Sequence, residues 1–173
     1  MSMNMHEKMP YYNQRTGPYA DYPYHGRTIQ TDGCGILAFA MAASYLLGRT
    51  VEPPEIVTWA GKRYAGLTGR GTRGVFFIRA SKAYGLSCRA TNSLDEALDA
   101  LCAGNPVIYY TEKSKGVFSI VPHYLVLSGL TDDGRVLIHN PNGIHDGESF
   151  PCETIEKYRA RSIREKSFYI LSK

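Results

Sequence analysis

The sequence predicts an α+β fold in which a helical N-terminal half packs on an antiparallel β-sheet formed by the C-terminal half. Up to residue 104, apolar residues recur at helical spacing between glycine-containing breaks. After residue 105, the chain changes to short runs of Val, Ile, Leu and Tyr, which are typical of strands. A tight-turn signal, Asp132-Asp133-Gly134, separates two of these runs. Helices followed by strands is the layout of the α+β class.

Four helices are predicted in the first half and a short one near the C-terminus. Residues 1–27 are rich in Tyr, Pro, Gly and Asn and show no regular period, so we expect an irregular lead-in. The helix over 35–47 carries apolar or small residues on almost every face; it should be nearly all buried, and Gly48 should end it. The glycines of 65–74 predict a loop. The other predicted helices cover 53–62, 75–84, 94–103 and 153–160.

Four strands are predicted in the second half, and the tight turn makes two of them antiparallel neighbours. The runs are rich in Val, Ile, Leu and Tyr. The predicted strands cover 106–111, 123–130, 135–139 and 167–171.

Length, composition and charge indicate one ordinary globular domain over 1–173. The chain is 43% hydrophobic and 21% charged, and its formal net charge is +4. The basic residues are scattered and no nucleic-acid motif is present, so we expect no nucleic-acid partner. No apolar run reaches membrane-spanning length, and the N-terminus shows no signal peptide. The expected location is the cytoplasm, or outside the cell if an export signal is missing from this sequence.

Cys34 is the candidate nucleophile. It lies between two glycines at the start of the apolar helix 35–47, where unpaired backbone N–H groups and the helix dipole should favour the thiolate. The flanking glycines would let a substrate backbone approach closely. A small core residue at a helix start is the alternative interpretation. Cys88 and Cys102 are expected to be buried free thiols.

His123 and Asn140 are the candidate partners of Cys34. His123 opens one predicted strand, and Asn140 ends the strand that follows the tight turn. Antiparallel pairing would bring the two side chains together, and the Asn140 amide oxygen would then orient the imidazole. The order Cys, His, Asn is that of a nucleophile supplied by a helix and a base supplied by a sheet. Taken alone, Asn140 would be an ordinary turn residue before proline.

Seven segments together resemble the C39-like peptidase family, in the family's order and over most of the chain. They are YYNQ at 11–14, TDGCGILAFAMAASYLLG at 31–48, VEPPEIVTWA at 51–60, GT at 71–72, YGL at 84–86, GNPVI at 104–108 and HYLVLSGLTDDGRVLIHNPN at 123–142.

The resemblance implies a papain-like cysteine peptidase fold and a catalytic triad of Cys34, His123 and Asn140. The family usually has Asp where this chain has Asn140. The family's Tyr-Tyr-x-Gln motif implies that Gln14 is the side-chain donor of the oxyanion site, beside the Cys34 backbone N–H. Gln30, four residues before Cys34, is the rival for that role.

The expected function is hydrolysis of a peptide or amide bond through a thioester acyl-enzyme, with a peptide or protein as substrate. One alternative is a weakly active or inactive peptide-binding module with the same fold. The other is acyl transfer to an amine, as in transglutaminase-like enzymes. No metal or other cofactor is expected, because His139 and His145 lack a ligand pattern and are better interpreted as surface or loop residues. Substrate specificity and oligomeric state do not follow from the sequence.

Overall fold

The computed structural model of the chain describes residues 4–61, 63–64 and 71–173. Its helices are α1 (Met5–Lys8), α2 (Ile29–Asp32), α3 (Cys34–Leu47), α4 (Pro53–Ala60), α5 (Val75–Ala83), α6 (Leu94–Cys102) and α7 (Cys152–Tyr158). Its strands are β1 (Pro23–Tyr24), β2 (Arg27–Thr28), β3 (Ser87–Thr91), β4 (Val107–Thr111), β5 (His123–Leu130), β6 (Val136–His139), β7 (Ser149–Phe150) and β8 (Phe168–Ser172).

The main sheet has six strands in the order β3-β8-β4-β5-β6-β7, and every pairing is antiparallel. The central strands are continuously apolar because they are covered by protein: seven of the eight residues of β5 are buried. The β5–β6 connection is the predicted tight turn, in which the Gly134 N–H donates to the Thr131 carbonyl over 2.9 Å. Gly134 has φ of 82°, which glycine adopts at no steric cost.

Helix α3 is the centre of the helical layer and packs mainly on β5, with further contacts to β4, β8 and α4. Its residues are almost all buried, as the absence of a polar face predicts. The helix ends at Gly48, which has the left-handed conformation (φ 65°) common at helix C-termini. Packing on the sheet therefore places the first residue of α3, Cys34, at one end of the helix–sheet interface.

An aromatic cluster joins the helices to the sheet. Phe39 of α3 meets Phe76 of α5 edge-to-face at 5.6 Å between ring centroids, and Phe77 meets Tyr124 of β5 at 4.9 Å. Phe39, Phe76 and Phe77 are fully buried. Removing one buried Phe side chain typically costs about 3–5 kcal/mol, so this cluster is a principal source of rigidity between α3, α5 and β5.

The predicted helices and strands are confirmed, with ends that differ by at most two residues, and so is the α+β class. Two strands were not predicted: β3, which is a sheet edge and carries a polar run, and the two-residue strand β7. The lead-in is not irregular throughout, because it contains α1, β1 and the start of β2. Of the predicted loop 65–74, residues 65–70 lie outside the described part of the chain.

Candidate active site

Cys34 is the first residue of α3 and follows the short helix α2 with only Gly33 between them. A Cβ on Gly33 would lie 2.7 Å from the Ile29 Cα, a backbone atom that cannot yield. A Cβ on Gly35 would lie 2.9 Å from the Thr72 Cβ. The expectation that these glycines make room for a substrate backbone is therefore wrong: they are needed for close packing inside the protein.

The segment 71–74 is held against the start of α3 by hydrogen bonds. The Gly71 N–H donates to Asp32 Oδ2 over 3.2 Å, and the Tyr24 hydroxyl and Thr72 Oγ1 are 2.6 Å apart. Asp32 is buried and also pairs with Arg27, at 2.9 Å from its Nε. These contacts shape one wall of a cleft beside Cys34.

The cleft is a cavity of about 940 Å³ whose lining includes Cys34, Asp32, Thr72, Tyr110, Pro122 and Tyr124. The rings of Tyr110 in β4 and Tyr124 in β5 stack at 4.5 Å between centroids. Because Pro122 and Tyr124 flank His123, the cleft brings the Cys34 end of α3 to the beginning of β5. The cleft therefore brings Cys34 close to the two neighbours of His123 in the chain, but the His123 side chain does not itself line the cavity.

His123 and Asn140 are in direct contact, as predicted. Both are buried, and His123 Nε2 lies 2.7 Å from Asn140 Oδ1. The Asn140 amide nitrogen donates to two carbonyls, those of Phe118 over 3.0 Å and Ile144 over 2.9 Å. These two acceptors determine which end of the amide faces the ring. Since Oδ1 can only accept, Nε2 must carry the proton and Nδ1 is left as the basic nitrogen of neutral His123.

The Asn140 backbone is held as tightly as its side chain. Its N–H donates to Asp146 Oδ1 over 2.7 Å, and its carbonyl accepts from the Tyr11 hydroxyl over 2.7 Å. The Asn142 amide also donates to the Phe118 carbonyl, over 2.9 Å. Sequence reasoning missed these supporting residues. The run Asn140-Pro141-Asn142-Gly143 is a turn signal that marks Asn142, but no local pattern points to Phe118 or Tyr11.

The protonation state of Cys34 differs from the expected one. Burial acts against ionisation of the thiol, whereas the nearby backbone N–H groups of Tyr124 and Gly35 lower its pKa, in the direction that the helix start predicts. Burial has the larger effect and raises the pKa of the thiol above its usual range, and the Asp32 carboxylate adds to that rise. The helix start therefore does not by itself secure the expected thiolate, because burial opposes it.

Burial also lowers the pKa of His123 to about 4, against an opposing effect of its hydrogen bond with Asn140. The imidazole is then neutral at neutral pH. The pKa shifts of both groups therefore favour an uncharged thiol and an uncharged imidazole over a thiolate and an imidazolium.

The low pKa of His123 predicts that stability falls as the solution is acidified. The unfolded chain takes up a proton near pH 6.5 whereas the folded protein does so only near pH 4, so the unfolded state gains protons first. Across this window His123 should remove about 3 kcal/mol of the free energy of unfolding, which is fully present above pH 6.5. Urea unfolding from pH 7 to pH 4 would measure the loss. In His123→Gln the loss of unfolding free energy between pH 7 and pH 4 should be smaller by about 3 kcal/mol. Equal losses in the variant and the wild type would contradict the low pKa of His123.

Gln14 and Gln30 lie close together but in different surroundings. Gln14 is buried, its backbone N–H donates to the Pro141 carbonyl over 2.6 Å, and its side-chain amide donates to the Gln30 carbonyl over 3.0 Å. Gln30 is exposed, and its side chain reaches the Arg15 carbonyl at 3.4 Å. Gln14 thus lies between the turn after Asn140 and the helix that precedes Cys34.

The rings of His139 and His145 contact other side chains of the protein. His139 is buried, contrary to the expectation of a surface or loop residue, and its ring stacks on His6 at 4.0 Å between centroids. His145 is a loop residue, 2.6 Å from Glu148. In the described ranges, no cluster of three or more His, Cys, Asp or Glu side chains is arranged to hold a metal ion.

All four cysteines are free, and Cys102 is exposed where a buried thiol was expected. It is the last residue of α6. None of the helices in the part of the chain that the structure describes has the length and apolarity needed to cross a membrane.

A buried helix that begins with Cys and packs on an antiparallel sheet with a His–Asn pair defines the fold class of papain-like cysteine peptidases. Two of the solved structures that superpose on this chain have a similar fold. A Bacillus anthracis protein assigned to the C39-like peptidases superposes with a TM-score of 0.67 at 17% identity, over 100% of this chain and 98% of that one. A double glycine motif protease from an AMS/PCAT transporter, solved with the leader peptide, gives 0.50 at 18% identity, over 80% and 81%.

The family follows from the sequence profile of the Peptidase_C39 like family, which matches residues 6–165. The chain belongs to this family of cysteine peptidases. Among curated proteins, no significantly similar sequence was found.

Proposed function

We propose that the protein hydrolyses a peptide or amide bond, with Cys34 as nucleophile, His123 as base and Asn140 as the residue that orients the base. The observation that carries the proposal is the doubly anchored Asn140 amide, which leaves the basic nitrogen of His123 unprotonated in a neutral ring. An imidazole in that state is ready to accept a thiol proton.

The proposed reaction begins with the neutral pair. His123 Nδ1 takes the Cys34 proton as the sulfur attacks the substrate carbonyl carbon, giving a tetrahedral oxyanion and an imidazolium. The imidazolium then gives its proton to the leaving amine, the C–N bond breaks and a thioester remains. Water, deprotonated by His123, attacks the thioester, and the released thiolate recovers the proton. Every proton that His123 accepts is returned within the cycle.

Gln14 is proposed as the side-chain donor to the oxyanion, together with the Cys34 backbone N–H. Its burial, and its position between the Asn140 turn and α2, support it over the exposed Gln30. The Gln14 amide carries two N–H bonds, and the Gln30 carbonyl accepts only one of them. The second is the proposed oxyanion donor; losing such a donor typically costs about 3–4 kcal/mol of the activation barrier.

A peptide is the proposed substrate class. The cleft beside Cys34 is large enough for several residues of an extended chain, with a volume of about 940 Å³. The protease with the same fold that was solved with a leader peptide is consistent with this choice. The location in the cytoplasm and the single domain over 1–173 remain part of the proposal.

One observation favours the second candidate, a peptide-binding module with little activity: burial keeps the Cys34 thiol protonated. Thiol alkylation at neutral pH separates the two functions. If His123 acts as base, iodoacetamide should modify Cys34 faster than Cys88, whose pKa burial raises to about 12. His123→Gln should slow the modification of Cys34 and leave Cys88 unchanged, as mass spectrometry of both peptides would show.

A different alkylation result would contradict the peptidase proposal. Equal, slow alkylation of Cys34 and Cys88, unaffected by His123→Gln, would identify a binding module. Acyl transfer is tested with the same protein by adding a primary amine to its reaction with a peptide that it cleaves. If more of the peptide is ligated to the amine than is hydrolysed, the function is acyl transfer and not hydrolysis.

A further inference from the structure

Two arginines lie on one wall of the cleft that contains Cys34. Arg73 precedes α5, Arg164 precedes β8, and both line the same cavity as Cys34. A hydrogen bond joins their neighbours in the chain: the Gly74 N–H donates to Glu165 Oε2 over 2.8 Å. The Tyr169 hydroxyl also donates to this carboxylate oxygen, over 3.2 Å. Segments that are far apart in sequence therefore present two guanidinium groups from one wall.

The charges of the cleft do not cancel. Its lining contains three arginines, including Arg27, and two carboxylates, Asp32 and Glu165. Arg27 is already neutralised by its 2.9 Å ion pair with Asp32. Across residues 4–61, 63–64 and 71–173, neither Arg73 nor Arg164 forms an ion pair, and both are exposed. Glu165 alone cannot balance two cations, so this wall keeps a positive excess.

Another part of the cleft lining has a different character. Val121 and Pro122, the two residues before His123, line it and are exposed. An apolar wall beside the proposed base and a cationic wall beside α5 would together orient a peptide whose side chains differ in charge.

We infer that the proposed peptidase prefers substrates with an Asp or Glu side chain close to the scissile bond, bound by Arg73 and Arg164. This specificity rests on the proposed function of Cys34. A guanidinium binds a carboxylate through paired hydrogen bonds, which a Gln side chain of the same shape cannot match. Because both arginines are exposed to solvent, the preference should be moderate, about five- to tenfold in kcat/KM.

The test is a peptide library in which each position near the cleavage site is either Glu or Gln. The kcat/KM ratio of the Glu to the Gln peptide should reach about five to ten at one position for the wild-type protein and fall at high salt. Arg73→Gln and Arg164→Gln should each lower the ratio, and the double variant should bring it close to one. Arg79→Gln is the matched control: Arg79 is exposed on α5 but does not line the cleft, so the ratio should not change.

Two failures are distinguishable. Cleavage of library peptides with a ratio of one at every position, or an unchanged ratio in the double variant, would overturn the acidic preference and leave the peptidase proposal standing. Absence of cleavage of every peptide would overturn the proposed function, and the specificity with it.

Discussion

Cys34→Ala is expected to abolish peptide hydrolysis, lowering kcat by roughly 10⁴-fold or more, because no other group on the proposed reaction path can form the thioester. The measurement is the release of peptide fragments by wild-type and variant protein at equal concentration. The fold should persist, since alanine is favourable in helices and retains the Cβ that packs at the start of α3.

The matched control is Cys102→Ala, which removes an exposed thiol at the end of α6 and should retain full activity. Circular dichroism and urea unfolding of both variants would show that the loss in Cys34→Ala is chemical. Wild-type turnover in Cys34→Ala would exclude the thioester mechanism.

Asn140→Asp has the second largest expected effect, although Asp is the residue that the family usually has at this position. In this chain the nitrogen of the Asn140 side chain faces two carbonyl oxygens, those of Phe118 and Ile144. A carboxylate oxygen in its place would have no proton to donate and would be repelled by both carbonyls. We expect a loss of about 3–5 kcal/mol in the free energy of unfolding, the usual cost of an uncompensated buried charge.

Asn140→Asp should also lower activity. The segments around Phe118 and Ile144 must move away from the carboxylate, and the His123 imidazole then loses its fixed orientation. Loss of the third triad member costs about 10⁴-fold in a serine protease when the imidazole tautomer becomes wrong. Asn140→Ala is the comparison: it removes the orienting oxygen without adding a charge, so it should be inactive but more stable than Asn140→Asp. An active and fully stable Asn140→Asp variant would show that the two carbonyls do not determine the amide orientation.

In the proposed enzyme, Cys34 and His123 are both uncharged before the reaction begins. Burial acts on both groups in the direction of the uncharged form, raising the pKa of Cys34 and lowering that of His123. Charge is then created only when the sulfur attacks, and the nearby backbone N–H groups of Tyr124 and Gly35, which lower the pKa of the thiol, would stabilise it.

Local sequence patterns were sufficient for the elements that carry the site. The apolar run after Cys34 predicts α3 and its end at Gly48, and the turn at Asp132-Asp133-Gly134 predicts that β5 and β6 are neighbours. Antiparallel pairing across that turn is a local consequence, which is why the contact between His123 and Asn140 could be predicted. The same patterns missed β3, because an exposed edge strand does not need apolar residues.

The sequence by itself determined the family, the α+β layout and the set of candidate residues, since these depend on side-chain types and short spacings. Only the tertiary structure decided the orientation of the Asn140 amide, the neutral state of the cysteine and histidine, and the role of Gly33 and Gly35. Each of these depends on burial or on groups supplied from elsewhere in the chain, such as the Phe118 carbonyl, 22 residues before Asn140. Desolvation and long-range hydrogen bonds exist only once the chain is packed, so no pattern along the sequence can express them.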